Sequence, residues 1–341
     1  MNNKSSSEIV KTLVQKAKQA QSIFENFNQN QVDEVITAVA WTLCKPSNNK
    51  KISNLAVSET GLGNPEDKIL KNRRKTLGLL RDLKNIKTVG VISEDKEKGI
   101  IEIAKPVGVV AAVTPSTNPA ATPINNIINA LKGRNSIIVS PSPAGSKVFR
   151  ELLILINNEL KKIGAPENLI QTFNCDVTKE LTNELMKNVD LVIVTGSLNN
   201  VREAAKSGTK AIGVGQGNVT SIVDETADLE DAFKKIKMSK TFDNATSCSS
   251  ENNLILIEDI YEKAINLLSK ENVVLLNKNQ KEILQKNLWI DGKLNRKIIA
   301  KSAKFIANEL NLEVDENVQI LMVEEDGVGP DYPFSGEKLS P

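Results

Sequence analysis

From residue 106 the sequence settles into a repeating order of apolar run and helical pattern, and few folds accommodate that order. Val107-Gly108-Val109-Val110-Ala111-Ala112-Val113 is an unbroken apolar run, as expected of a parallel strand buried on both faces. It ends in a rigid polar loop, Thr114-Pro115-Ser116-Thr117-Asn118-Pro119. A helix is expected next, because Ile124, Ile127, Ile128 and Leu131 recur at helical spacing. Ser136-Ile137-Ile138-Val139 reads as a second strand, ending in Ser140-Pro141-Ser142-Pro143. A helix from about Ser146 to Lys162 follows, with Gly164 and Pro166 as its stop. Leu169–Phe173 and Leu191–Val194 read as a third and a fourth strand, the last ending in Thr195-Gly196-Ser197 before another helix. The pattern is that of a doubly wound α/β sheet, in which ligands gather outside the carboxyl ends of the strands. Three of those ends carry small or hydroxyl-bearing loops, at 114–119, 140–143 and 195–197. A phosphate could sit on the helix start at Ser197, and simple N-capping by that serine explains it equally well.

The flanking segments are less regular. Residues 8–45 are expected to be helical, with Ile9, Leu13 and Ala17 on one face. Glu59-Thr60-Gly61-Leu62-Gly63-Asn64-Pro65 is a turn-rich break. Residues 66–85 read as a basic helix whose lysines and arginines form a solvated face, contact with a phosphorylated ligand being the lesser alternative. Two strands, at 87–92 and 99–103, form a hairpin suited to assembly. Gly213-Val214-Gly215-Gln216-Gly217 does not fit the dinucleotide spacing Gly-x-Gly-x-x-Gly, and Ser221-Ile222-Val223 behind it reads as a strand. These glycines are expected to serve a tight bend or a close approach. A helix over 228–241 leads to the small polar loop around Cys248, and Leu254–Ile257 behind it is of strand length. Helices near 259–270, 279–286 and 296–310 and a strand at 319–323 complete the pattern.

Composition narrows the chemistry. The 341 residues are enough for two domains, and a net charge of +2 asks for neither nucleic acid nor a membrane. The start, from Met1 to Ser7, has no apolar signal core, so the expected location is the cytoplasm. Three cysteines, Cys44, Cys175 and Cys248, suit a reducing compartment and offer no metal spacing, so no metal is expected. There is no histidine, which excludes a Cys-His pair or a Ser-His-Asp triad within the chain. Cys44 is expected in a helix core and Cys175 at a strand end. Cys248, between a helix and a strand with hydroxyl and amide neighbours, is placed to act as a nucleophile; a small residue buried in a polar loop is the plainer alternative.

Taken together, these segments resemble the aldehyde dehydrogenase superfamily, and most of all its CoA-acylating branch, including the N-terminal half of bifunctional aldehyde–alcohol dehydrogenases. The resemblance runs from about residue 30 to the end. It rests on Glu59–Asn64, Pro106–Val110, Thr117-Asn118-Pro119, Gly213–Asn218, Thr241-Phe242-Asp243-Asn244 with Cys248, and Glu337-Lys338-Leu339-Ser340-Pro341. It implies an α/β protein with an atypical Rossmann cofactor domain over 1–240, interrupted by the hairpin near 87–104, and a C-terminally truncated α/β catalytic domain over 241–341. It makes Cys248 the nucleophile and gives the oxyanion to the Asn118 amide and the Cys248 backbone N–H. It places Thr114, Pro115, Ser116, Ser140, Pro141, Ser142, Thr195, Gly196, Ser197 and Gly213 along NAD or NADP, and Glu337 on the nicotinamide ribose. Coenzyme A is the implied co-substrate and a small aldehyde the substrate, in a homo-oligomer when full length.

Three departures shape the expectation. Hydrolytic members carry a glutamate where this chain has Gly213, so the acyl-enzyme lacks a base to activate water, while a thiol acceptor needs less help. The acylating branch usually has Ser-Pro-His-Pro where this chain has Ser140-Pro141-Ser142-Pro143, which bears on cofactor preference. Ala245-Thr246-Ser247 is richer in hydroxyls than in many acetaldehyde enzymes, which suits a polar or anionic aldehyde such as sulfoacetaldehyde. Members also continue well beyond the Glu-Lys-Leu-Ser-Pro motif, so a fragment or shortened product with an incompletely walled pocket is expected. Two other readings stand beside this one. A phosphate-releasing semialdehyde dehydrogenase should show basic residues near the acyl site. An inactive homologue should survive as a binding or assembly module.

Overall fold

The computed structural model describes residues 5–341; Met1–Lys4, the start of the N-terminal lead-in, lie outside the described residues. The chain divides into two compact units, one made of the residues up to 61 with 68–215, the other of 62–67 with 216–341. The sequence expectation puts the domain boundary at 240; in the structure the strand at 219–223 pairs with the strand that follows Cys248.

The first unit opens with α1 (Ser6–Phe24), α2 (Gln29–Cys44), α3 (Pro46–Thr60) and α4 (Pro65–Leu83). The helical stretch expected over 8–45 is two helices, because Asn28 caps α2 with a reciprocal bond to Gln31 and so ends the preceding turn. The hairpin follows as β1 (Gly90–Asp95) and β2 (Ile100–Ala104), antiparallel, with Val91, Ile92, Ile100, Ile101 and Ile103 exposed. Next come β3 (Val109–Thr114), α5 (Ala121–Lys132), β4 (Ser136–Pro141), α6 (Ser146–Lys162), β5 (Ile170–Thr172), α7 (Lys179–Lys187), β6 (Leu191–Thr195), α8 (Leu198–Lys206) and β7 (Ala211–Val214). All five strands from β3 to β7 are parallel, in the order β5-β4-β3-β6-β7.

The side-chain period of two sorts β3 between two cores. Val110 and Ala112 join the cluster under α2, α5 and α6, while Val109, Ala111 and Val113 join the cluster under α1 and α7. A sheet covered on both faces accounts for strands β3, β4 and β5 that are buried at every position. Entry to β3 is fixed by side chains: Asn135 Oδ1 accepts from the Val107 and Gly108 N–H groups at 2.7 and 3.0 Å, and Asp190 Oδ2 accepts from Val109 N–H at 2.7 Å.

The second unit contains β8 (Val219–Val223), α9 (Leu229–Thr241), β9 (Glu251–Leu256), α10 (Tyr261–Lys270), β10 (Val273–Leu275), α11 (Lys278–Leu288), β11 (Trp289–Ile290), β12 (Lys293–Leu294), α12 (Ala303–Glu309) and β13 (Ile320–Met322). β8 pairs with β9 and β10 with β13, both in parallel, and β11 with β12 antiparallel. One core gathers Phe233, Leu268 and Val273, and another Leu288, Ile299 and Phe334. The segment at 62–67 belongs to this unit: Leu62 packs in the Phe334 core and Gly63 N–H donates to Ala300 at 3.0 Å. An open cleft of about 1330 Å³ runs along this unit, with Lys240, Glu251, Glu337 and Lys338 among its walls. Among the described residues no helix is long and apolar enough to cross a membrane.

Candidate active site

In the first unit the expected cofactor loops lie side by side. β3 is central; β4 flanks it on one side and β6 on the other, and Val113 is level with both Ser140 and Val194. The chain leaves β3 towards β4 and later returns to β6, so the ends of β3 and β6 mark a topological switch point, where such sheets bind ligands. The loops support one another. Ser142 N–H donates to Thr114 O at 2.9 Å, and Gly196 N–H donates to Val214 O at 3.1 Å. A Cβ at Gly196 would lie 3.7 Å from the Pro115 ring, so these two loop residues are neighbours. Ser140 is buried and its hydroxyl meets that of Thr182 at 2.9 Å. Ser142 caps the short turn behind it, through Gly145 N–H at 3.2 Å. Ser197 does for α8 what an N-cap does, accepting from Asn200 N–H at 3.3 Å. Ser116 is half-buried in the loop that carries Asn118. Thr114 is different: its Oγ1 is buried with no hydrogen-bond partner among the described residues. Gly213 lies on β7, where a Cβ would come within 2.7 Å of Val201 Cγ1.

Asn118 itself is 8% exposed. Its carbonyl Oδ1 accepts from Lys71 Nζ at 3.0 Å, and its Nδ2 reaches Thr117 Oγ1 at 3.4 Å. Lys68, one turn earlier on α4, donates to Thr117 O at 3.3 Å. Both lysines are buried. The sequence reading had this helix face as solvated, and for these two residues the structure corrects it. The signal was present as lysines three apart on a helix, but net charge and periodicity do not distinguish a lysine that snorkels to water from one aimed inward.

In the second unit Cys248 is exposed. The turn leading to it, Phe242–Ala245, holds three successive non-glycine residues in left-handed conformation: Asp243 (φ 51), Asn244 (φ 51) and Ala245 (φ 61). Such residues are uncommon and persist where the surroundings over-determine them. Here a buried carboxylate does so. Asp243 is fully buried; its Oδ1 accepts from Asn64 N–H at 2.9 Å and its Oδ2 from the Thr246 hydroxyl at 2.5 Å. Asp67 Oδ2 accepts in turn from Asp243 N–H and from the Asn64 amide, each at 2.7 Å. The Thr246 hydroxyl therefore points into the protein fabric, which corrects its expected place beside a substrate; Ser247 is half-buried and Ser249 exposed.

Gly217 lies against this loop. A Cβ on Gly217 would lie 2.8 Å from the Cys248 carbonyl oxygen. Burial raises the Glu337 pKa, opposed by the Gly217 backbone and by the Lys240 charge. Burial pushes Lys240 down to about 8, opposed by Glu251 and Glu337, and pushes Lys338 down to about 7 with help from Lys240. Lys338 Nζ donates to the carbonyls of Phe334 and Gly336, at 2.5 and 2.7 Å. Asn218 and Asn253 both donate to Ser335 O, at 2.8 and 3.0 Å, and so fix the segment bearing Glu337 against β8 and β9. This unit therefore brings together Cys248, Gly217 and Glu337; the first brings together the residues of the strand-end loops.

Comparison with known proteins places these features in a family. The model of the aldehyde dehydrogenase family matches residues 2–282. A sulfoacetaldehyde dehydrogenase (acylating) of Cupriavidus necator is 52% identical over 336 residues, which are 98% of this chain and 68% of that protein. Among solved structures, an acetylating aldehyde dehydrogenase from Geobacillus thermoglucosidasius superposes with a TM-score of 0.94 at 38% identity, over 98% of this chain and 74% of that one. A propionaldehyde dehydrogenase of Rhodopseudomonas palustris, solved with bound CoA and an acylated cysteine, gives a TM-score of 0.83 at 30% identity, over 95% and 73% of the two chains.

Proposed function

The chain belongs to the aldehyde dehydrogenase family, and from that membership we propose that it oxidises a small aldehyde to an acyl-CoA through a thioester on Cys248, reversibly. The observation that carries this reading is an exposed thiol at the end of a strained, carboxylate-pinned turn, in a chain with no histidine to activate water. In this reading the Cys248 thiolate adds to the carbonyl carbon. A C–S bond forms as the π pair moves to oxygen, which takes hydrogen bonds from the Asn118 carboxamide and the Cys248 backbone N–H. Collapse of that oxyanion restores C=O as the hydride leaves carbon, and a thioester remains. The CoA thiolate then adds to the thioester, and the Cys248 thiolate departs. Position 213 carries no carboxylate that could prepare a water for this second step, which favours the thiol acceptor.

A nicotinamide cofactor, NAD or NADP, supplies the hydride acceptor when bound. The first unit fits such a group, because the Thr114 hydroxyl is buried without a partner among the described residues at the switch point of the sheet. Thr114, Pro115, Ser116, Ser140, Pro141, Ser142, Thr195, Gly196, Ser197 and Gly213 are assigned to holding it, and Glu337 to the nicotinamide ribose. Sulfoacetaldehyde is the proposed aldehyde, the one for which the Cupriavidus relative is named. The exposed apolar hairpin supports self-association.

The test is acyl-CoA formation from acetaldehyde and from sulfoacetaldehyde, with CoA and either NAD or NADP. Cys248→Ala is expected to lose at least about 10³-fold in kcat. Activity that survives this change overturns the covalent reading, and a clear preference for acetaldehyde overturns the choice of substrate.

A further inference from the structure

We propose that Lys71 is a positioning residue that aims and polarises the Asn118 carboxamide for the oxyanion of the Cys248 adduct. The inference rests on the roles given above to Cys248 and Asn118, and adds a residue that neither requires.

A carboxamide has one accepting end and one donating end, and a half-turn about its last torsion exchanges them. Only one orientation serves an oxyanion. Lys71 selects it, because an ammonium can donate but cannot accept. At 3.0 Å from Nζ the Asn118 Oδ1 is committed to the cation. In the opposite orientation two donors would face each other. The Nδ2 end, which also reaches Thr117 Oγ1 at 3.4 Å, is thereby the donating end turned away from the cation. The bond from Lys71 has a second effect. Drawing electron density toward Oδ1 leaves the amide N–H groups more positive, so they bind a developing negative charge more strongly; linked hydrogen bonds reinforce one another by about 10–30% each.

Packing does not account for the choice of lysine. Lys71 is only 3% exposed, on the second turn of α4, and its neighbour Lys68 is buried too. Taking an ammonium out of water is costly even when it is well paired, and a methionine of similar length fills such space without that cost. Two cations near the N-terminal end of a helix also oppose its dipole. Among the bonds they make, two go to the loop that carries Asn118: Lys68 to the Thr117 carbonyl, Lys71 to Asn118 itself.

The experiment measures kcat and KM for acyl-CoA formation with the full chain carrying Lys71→Met, Lys71→Arg, Asn118→Ala, Cys248→Ala, and Lys71→Met with Asn118→Ala, beside thermal unfolding of each. Lys71→Met is expected to lower kcat about 10- to 100-fold while KM for the aldehyde moves less than about threefold. In the Asn118→Ala background the same change should alter kcat by less than about twofold, since no amide remains to be aimed. Lys71→Arg, which keeps a charged donor, should recover a measurable part of the loss. An equal loss in both backgrounds, or a loss that appears only in KM or in unfolding temperature, overturns the positioning role. Should Lys71→Met fail to fold, Lys71→Gln carries the same comparison, with the same background dependence expected. Full activity in Cys248→Ala or Asn118→Ala overturns the underlying reading instead, so the two failures are distinguishable.

Discussion

A methyl group at residue 217 would sit 2.8 Å from the carbonyl oxygen of Cys248, closer than real side-chain carbons approach backbone. That oxygen has little room to yield, because the turn before it is pinned by the fully buried Asp243. Glycine at 217 is what lets the backbone pass behind the nucleophile. Gly217→Ala is therefore expected to displace Cys248 by a few tenths of an ångström or more. Misplacement of a reacting atom by about 1 Å can cost 10²-fold, so a loss of about tenfold in kcat is expected with a modest change in unfolding temperature. Gly78→Ala is the matched control. It lies on α4 with nothing within 4 Å of the added carbon, so it should leave kcat unchanged and stabilise the chain by about 0.5–1 kcal/mol. Equal kcat for the two variants would remove Gly217 from the site.

The elements divide into those whose sequence announces them and those whose sequence does not. β3, β4 and β6, and the loops at their ends, are legible because an apolar run closed by Pro, Ser or Gly has few other uses in a soluble chain. The hairpin is legible from its two apolar runs and charged turn. α3 was not, because its inner face is half polar: Asn49 and Ser53 are buried beside Ile52 and Ala56, and their hydrogen bonds go to each other and to Asn72 of α4. Polar residues at these positions hide the helical period. The partners of the cysteine turn were hidden for a related reason. Asn64 and Asp67 lie about 180 residues before Asp243, so nothing local in the sequence connects them. Asp243→Ala tests that connection. It would leave the Asn64 N–H and the Thr246 hydroxyl without their shared carboxylate, and each buried unsatisfied group costs about 1–3 kcal/mol. A destabilisation of about 2–4 kcal/mol is expected, seen as a lower urea midpoint at unchanged slope. An unchanged midpoint would mean that the left-handed turn holds itself.

For the whole chain, the lysines of the second unit set a stability profile that keeps rising with pH through the neutral and mildly alkaline range. Burial pushes Lys338 down to about 7 and Lys240 down to about 8, whereas in the unfolded chain both should titrate near 10.4. Between those values the unfolded chain binds more protons than the folded one, so unfolding free energy increases with pH. The cost of keeping both ammonium groups in the folded protein is full below about pH 7 and is relieved progressively as the pH rises through the folded values. Other perturbed groups act outside this window. Asp95 and Asp224, with pKa lowered by hydrogen bonds, act in the acid range, and Glu337, raised by burial, begins to act there too. Tyr261, pushed up to about 12, and the raised Lys147 and Lys235 act in the alkaline range. Cys44, raised by burial, begins to oppose the lysines only as its unfolded thiol ionises near pH 9. Urea midpoints measured at pH 7, 8 and 9 should therefore increase across the series, and Lys338→Met should flatten the increase. A wild-type midpoint that is level or falls from pH 7 to 9 would show that the two ammonium groups are not held away from water in the folded chain. A profile unchanged by Lys338→Met would assign the effect to Lys240, and Lys240→Met should then remove it.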